Sequence, residues 1–343
     1  MSLNGLRSSL NEELLRFLWR QWSQLGIAGD VEYRDSWIID PEAVLLFTLE
    51  MGRCDPRLFD EVIDWTVRNG RWISLQRLKN LAEHANDEVK RTLAAFASVV
   101  DSHDTKRRWR SVSHYPDQAA DHETLFFMDV SGTPLPMIGE PDRDFVQMGF
   151  VRPQAVLRGL SVPVPMEPPT NLLFKLRSLF GLAPRAEIAA YLMTHSNGRA
   201  SVISRSTVYS HPPVHDALGE LTSSGLIYAQ GRGLFTIDVE RWQRFLEVPS
   251  PLPVWVEWPR VFEALSELVR FLSESDKMQM SEYLLRSRML TLNESLRDKL
   301  SNSGIANPFL RPSNLDEAIE TLPDRVRQLM DQLNREKIAT PGA

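Results

Sequence analysis

The chain has 343 residues, a formal net charge of −6 and a single cysteine, Cys54. A chain of this length is expected to contain more than one hydrophobic core, and one cysteine excludes an intrachain disulfide framework or a cysteine zinc site. No apolar run approaches the roughly 20 residues that a membrane helix needs. The first residues also lack the pattern of a signal peptide, so we expect a cytoplasmic protein without a membrane partner.

Residues 1–100 are predicted to form an N-terminal helical domain, because their apolar residues recur at helical spacing. An acid followed by proline indicates a capped helix start, and serine can cap in the same way. Such starts occur at Asp40-Pro41, at Asp55-Pro56 and at Ser74. The run 73–81 could also be half of a helix-turn-helix, which is the less favoured interpretation. Short amphipathic helices with tight connections predict a helical bundle.

Residues 101–169 lose this periodicity and are predicted to be an irregular connector that contains some strand. The apolar runs 125–128 and 145–151 predict extended segments, with a small hairpin as one arrangement. The basic run 106–110 surrounds Trp109 and has two interpretations. The favoured one is an exposed helix end anchored by the indole, and the other is a nucleic-acid contact through stacking.

Residues 170–246 are predicted to form a separate domain, in which four helices are followed by a hairpin. The predicted helices cover 171–180, 185–194, 200–207 and 212–224. Gly225 permits the left-handed conformation that often ends a helix. The hairpin consists of 227–230, a Gly-Arg-Gly turn at 231–233, and 234–237.

Over about residues 171–238, this order resembles the winged helix-turn-helix domain of ArsR/MarR-like transcriptional regulators. The resemblance implies that the helix after the turn enters a DNA major groove and that the hairpin, the wing, touches backbone or minor groove. Two recognition helices would match two half-sites, which implies a homodimer. We therefore expect a regulator of transcription that binds double-stranded DNA.

The predicted DNA contacts lie on the helix pair and on the wing. The core spacing of the apolar residues between Val214 and Leu221 leaves His215 and Gly219 facing the groove. Hydroxyl groups and histidines can bond phosphates, and arginines supply positive charge. The predicted set comprises Arg199, Arg205, Ser206, Thr207, Ser210, His211, His215, Gly219 and Arg232.

The charge distribution gives this prediction modest support. Residues 171–237 carry 6 Lys+Arg against 3 Asp+Glu, residues 1–170 carry 19 against 25, and residues 238–343 carry 14 against 17. The predicted recognition helix has no Arg, Lys, Asn or Gln, which are the usual base readers. It carries Asp216 and Glu220 instead. The alternative is a non-catalytic interaction protein, antitoxin-like or defence-associated, whose winged helix binds a protein partner.

Residues 251–337 are predicted to form a C-terminal helical domain, with helices through 262–272 and around 280–289, 292–302 and 315–336. We expect the first of these helices, together with Trp255 and Trp258, to form the dimer interface. Residues 338–343 are predicted to fray. The predicted fold is therefore mostly α, with a central winged helix-turn-helix and a small β-hairpin wing between two helical domains.

Catalytic signatures are missing from the sequence. It has no GxxxxGK or GxGxxG phosphate loop and no GxSxG nucleophile elbow. Histidines and acids within 101–166 keep an enzyme open as a third alternative. A metal site there, or at the i and i+4 pair His211 and His215, is a less favoured interpretation because no complete ligand motif is present. We expect no enzyme activity, no cofactor and no metal.

Overall fold

The computed structural model describes residues 3–29, 37–115, 122–129, 132–277, 282–311 and 315–334. Within these ranges the protein is mostly helical, as the sequence predicts, and its strands are two or three residues long. The predicted frayed tail, 338–343, lies outside the described residues.

The N-terminal part contains five α-helices among its described residues. They are α1 (Leu3–Gln24), α2 (Pro41–Met51), α3 (Pro56–Asn69), α4 (Leu75–Ala82) and α5 (Asp87–His103). The side chains of Asp40, Asp55 and Ser74 accept hydrogen bonds from backbone N–H groups in the first turns of α2, α3 and α4. The predicted helix starts are confirmed at all three positions.

The connector differs from its predicted strands. β1 (Glu123–Thr124) pairs in parallel with β2 (Phe150–Val151), so these segments do not form a hairpin. Part of the predicted strand 145–151 is instead a short helix, α6 (Arg143–Gln147), because the Asp142 carboxylate accepts hydrogen bonds from its first N–H groups. Trp109 is 1% exposed and packs against Phe96, which confirms the anchoring interpretation of the basic run.

The next part, which we call the 172–246 unit, consists of helices around a three-stranded sheet. Its elements are α7 (Leu172–Phe180), α8 (Pro184–Thr194), β3 (Gly198–Arg199), α9 (Ala200–Thr207), α10 (His211–Ser223), β4 (Tyr228–Gln230), β5 (Leu234–Thr236) and α11 (Val239–Leu246). The strands are antiparallel in the order β3-β5-β4. Gly225 has a φ of +70°, so the predicted left-handed residue after α10 is confirmed.

Three long helices complete the described chain: α12 (Trp258–Lys277), α13 (Glu282–Leu300) and α14 (Leu315–Asn334). The two helices predicted around 280–289 and 292–302 are one helix. Its apolar residues Met289, Leu292 and Leu296 recur at helical spacing without a break, and all three are buried. None of the helices in the described ranges combines the length and apolar character needed to cross a membrane.

Two hydrophobic clusters form the core. One joins side chains from α1 to α5, the connector and α12 to α14 with Phe174 of α7, and the other consists mostly of side chains of the 172–246 unit, together with Ile38 and Val248. In the first cluster the ring of Phe262 stacks on Phe47 at 4.4 Å, and Trp258 lies 5.4 Å from Phe17. Trp258 and Phe262 are therefore covered within the same chain and are not available to a second copy, and the homodimer itself stays a prediction. The predicted domain boundaries stay a prediction.

Candidate nucleic-acid interface

The turn between α9 and α10 is hydrogen-bonded to α4 and to the residue that caps it. Val208 has a left-handed φ of 58°, which redirects the chain after α9. Arg77 Nε donates to the carbonyl oxygen of Thr207 at 2.7 Å, and Asn80 Nδ2 donates to that of Val208 at 3.1 Å. The Tyr209 hydroxyl lies 3.1 Å from Ser74 Oγ. The orientation of this helix pair therefore depends on contacts with the N-terminal helices.

A buried ion network lies directly beneath this turn. The Arg77 guanidinium binds both carboxylate oxygens of Asp40, at 2.5 and 2.6 Å, and also binds Glu42 at 2.9 Å. The Arg177 guanidinium binds Glu42 at 2.7 and 2.8 Å and Glu187 at 2.7 Å. Each of the five residues is buried. The network links α2 and α4 to α7 and α8.

Burial and pairing shift the pKa values of this network in different directions. Burial raises the pKa of the Glu187 carboxyl, and the two arginines offset that rise only in part. Burial also disfavours the charged form of Asp40, but the pairing with Arg77, the hydrogen bond from the Ala43 N–H and the charge of Arg177 together outweigh it, so the pKa of Asp40 is lowered. Glu187 Oε2 has no hydrogen-bond partner among the described residues. The network therefore favours a protonated Glu187 more than a protonated Asp40.

Helix α10 presents a polar face to solvent. Val214, Ala217, Leu218 and Leu221 are buried, as their spacing predicts. On the other face His215 and Asp216 have side chains that are 70% and 80% exposed. The exposed residues predicted as contacts on or beside this helix are Ser210, His211, His215 and Gly219.

The two acids on this face differ in their surroundings. The Glu220 carboxylate accepts a hydrogen bond from Arg185 Nε at 2.8 Å, so its charge is paired. Asp216 lies 4.0 Å from His215 Nδ1 and has no arginine or lysine partner among the described residues. Arg185 was not a predicted site residue, because only the packing of α8 against α10 brings it to Glu220.

Two predicted arginines lie at the same end of the three-stranded sheet. Arg232 is exposed in the turn between β4 and β5, where its φ of 66° is left-handed. Arg199 is exposed and pairs in register with Leu234, two residues after Arg232. Neither arginine forms an ion pair with a described residue. Their guanidinium groups are therefore without an acidic partner at this end of the sheet, among the residues that the structure describes.

The remaining three predicted residues are placed differently. Ser206 is buried and its hydroxyl donates to Glu257 Oε1 at 2.6 Å, while the buried Thr207 hydroxyl donates to the carbonyl oxygen of Ile203 at 2.8 Å. Neither hydroxyl is available to a phosphate. Arg205 is exposed at the end of α9, between the start of α10 and a cleft that reaches α12.

The His211 and His215 rings have centroids 6.1 Å apart. Within the described residues, no group of three or more histidine, cysteine, aspartate or glutamate side chains is close enough to hold a metal ion.

Comparison with models of protein families, with curated proteins and with solved structures gives no match to this chain.

Proposed function

We propose that the protein is a DNA-binding regulator of transcription that acts as a homodimer through a winged helix-turn-helix formed by the 172–246 unit. One observation carries the proposal. Helix α10 follows a tight turn after α9, exposes one polar face, and is followed by a hairpin whose exposed Arg232 lies at the same sheet end as Arg199. In this assignment α10 is the recognition helix and β4–β5 the wing.

Electrostatics supports phosphate binding at both elements. Arg199 and Arg232 would each neutralise a phosphate, and the start of α10 adds the positive end of its helix dipole near Ser210 and His211. The proposed contacts are Arg199, Ser210, His211, His215, Gly219 and Arg232. They exclude Ser206 and Thr207, whose hydroxyl groups are buried, and Arg205, which lines the cleft between α9 and α12.

A mobility-shift titration tests the proposal directly. The full-length protein is mixed with the duplex upstream of its own gene, and with a shuffled duplex, at several salt concentrations. Replacing both Arg199 and Arg232 with alanine should remove about two phosphate contacts and lower the slope of log affinity against log salt by about 2. The matched control replaces Arg68 and Arg143, two exposed cations outside the 172–246 unit and outside the basic run 106–110, and should leave the slope unchanged. A complex insensitive to salt, or to the first double substitution, contradicts the proposal.

One observation favours the second candidate, a module that binds a protein partner. The exposed face of α10 presents Asp216 without an arginine or lysine partner in the described part of the chain, and it has no residue of the usual base-reading types. An acidic helix face suits a basic protein surface better than it suits DNA.

The substitution Asp216→Asn separates the two candidates. Removing a charge repelled by phosphate should increase DNA affinity by about fivefold, corresponding to about 1 kcal/mol for a close charge pair in water. If the partner is a basic protein, the same change should weaken its retention in a pull-down.

Light scattering of the free protein and of its DNA complex measures how many copies bind one duplex. A single copy per duplex contradicts the homodimer.

A further inference from the structure

A cleft between α9 and the helical core has the features of a small-molecule site. It is bounded by α2, by α4 and the start of α5, by α12 and by the end of α9, and its volume is about 310 Å³. This lies in the range of ligand sites, which are mostly apolar with a few polar groups. Its apolar lining includes Leu46, Phe47, Leu81, Val89 and Phe262.

The cleft is long enough for its polar residues to lie at two ends. The residues of α12 that line it run from Pro259 to Arg270, about 16 Å along the helix axis. Glu50 and Ser266 lie together, with Ser266 Oγ donating to Glu50 Oε2 at 2.5 Å, and the positive charge of Arg270 acts on the same carboxyl. One end of the cleft therefore already contains an acid with its own partners.

The other end of the cleft contains Arg205 and His84. Arg205 and His84 line the cleft and also line the adjoining cavity of about 970 Å³ beside the start of α10. Both side chains are exposed, and Arg205 has no hydrogen bond or ion pair with a described residue. The shared lining gives this end a route to solvent. A ligand entering there would meet a free guanidinium first and the apolar rings of Phe47 and Phe262 deeper in.

We propose that this cleft binds an amphipathic carboxylate of the medium-chain fatty-acid type. Its carboxylate pairs with Arg205 beside His84, and its alkyl chain lies along Phe47 and Phe262 toward Glu50. The carboxylate is assigned to the Arg205 end because Arg205 has no partner among the described residues, whereas the charge of Arg270 at the opposite end already acts on the Glu50 carboxyl. Such a ligand is an effector of the proposed DNA binding, since Arg205 and Val208 adjoin the turn that positions α10; this consequence alone rests on the proposed function.

Titration calorimetry with decanoate on the full-length protein tests the site, with 1-decanol as the uncharged probe. Decanoate should bind saturably with one molecule per chain and raise the thermal midpoint, and decanol should bind at least about tenfold more weakly. Arg205→Gln should weaken decanoate binding by about tenfold and leave decanol unchanged. Arg199→Gln, at the sheet end, is the matched control and should bind decanoate as the unsubstituted protein does.

A second variant tests the position of the alkyl chain. Ala85 lines the cleft and is partly exposed, so Ala85→Trp should fill the space and abolish binding, while the thermal midpoint of the free protein stays close to that of the unsubstituted chain. Equal binding of decanoate and decanol, no effect of Arg205→Gln, or full binding by a folded Ala85→Trp variant overturns the proposal. Binding of decanoate by a protein that fails to shift DNA would reject the proposed function and leave the site standing.

Discussion

At the scale of single residues, five buried charged groups lie between the N-terminal helices and helices α7 and α8 of the 172–246 unit. Arg77 and Arg177 face the carboxyl groups of Asp40, Glu42 and Glu187. Removing one member of such a network takes a partner from a desolvated charge, which costs more than the loss of a surface ion pair. The packing of the 172–246 unit against the N-terminal helices should therefore depend on each charge of this network.

Substituting Arg177→Met should lower the free energy of unfolding by about 3–5 kcal/mol, because Glu42 and Glu187 would lose their shared partner. The matched control is Arg185→Met, which removes the exposed pair with Glu220 and should cost less than about 1 kcal/mol. Chemical denaturation followed by circular dichroism measures both values. Equal costs for the two substitutions would contradict the importance of burial.

Glu50 should make stability depend on pH. Burial raises the pKa of its carboxyl, and the hydrogen bond from Ser266 and the charge of Arg270 reduce that rise only in part. Between the pKa of the unfolded chain and the higher pKa of the folded protein, the folded state binds more protons. Stability therefore falls as pH rises through this window.

Glu50→Gln should remove this dependence. The variant keeps an oxygen that can accept from Ser266 but cannot ionise, so it should be more stable than the unsubstituted protein at neutral pH. The difference should shrink as the pH falls below the ordinary pKa of a glutamate, about 4.3, because the carboxyl is then increasingly protonated in both states. Urea midpoints across this range measure the difference, with Glu83→Gln at an exposed acid as the control. A variant that is less stable at neutral pH would refute the expectation.

At the scale of elements, two glycines of the 172–246 unit have opposite surroundings. A Cβ on Gly198 would lie 2.8 Å from Tyr191 Cε1 and 2.9 Å from Ile203 Cγ1, so β3 can pass this close only without a side chain. Gly219 lies in α10 and a Cβ there would meet nothing within 4 Å.

Alanine at these two positions should therefore change stability in opposite directions. Gly198→Ala should destabilise the protein by about 1–3 kcal/mol through overpacking. Gly219→Ala should stabilise it by about 0.5–1 kcal/mol, because alanine favours a helix more than glycine does. Thermal unfolding measures the change in stability of each variant. A stabilising Gly198→Ala would show that β3 can shift enough to accommodate a side chain.

Most helices and the β4–β5 hairpin were predictable from the sequence, whereas the strands β1, β2 and β3 were not. Capping side chains and apolar spacing act within a few residues, so Asp40, Asp55 and Gly225 marked element ends correctly. Strand β3 has only two residues and exists through its pairing with Leu234 and Phe235, far along the chain. Nothing local at Gly198 indicates that partner.

The candidate site was predictable in part for the same reason. The exposed face of α10 follows from the spacing of its own apolar residues. On α9, by contrast, the predicted contacts Ser206 and Thr207 are buried. Their burial depends on Glu257, which accepts from the Ser206 hydroxyl, and on the hydrogen bond from Arg77 of α4 to the Thr207 carbonyl oxygen. Those contacts come from distant parts of the sequence, which helical periodicity alone does not reveal.

At the scale of the whole molecule, the two ends of the chain complete one core. Helix α1 carries Phe17 against Trp258, and α2 carries Phe47 against Phe262, so α12 fills a space between N-terminal helices. Helix α14 also packs on α1, where Arg20 donates to the carbonyl oxygen of Leu333 at 2.7 Å. The 172–246 unit is inserted in sequence between these two halves.

A fragment that ends at residue 250 should therefore fail to fold cooperatively. Each large buried aromatic contributes about 3–5 kcal/mol when compared with alanine. The loss of Trp258 and Phe262 alone would remove most of a total stability of about 5–15 kcal/mol. Circular dichroism and limited proteolysis should show an unstable 1–250 fragment, and adding the 251–343 fragment should restore protection because it supplies α12 and α14. If the 1–250 fragment instead unfolds cooperatively at the midpoint of the full chain, the N-terminal helices form a stable core without α12 and α14.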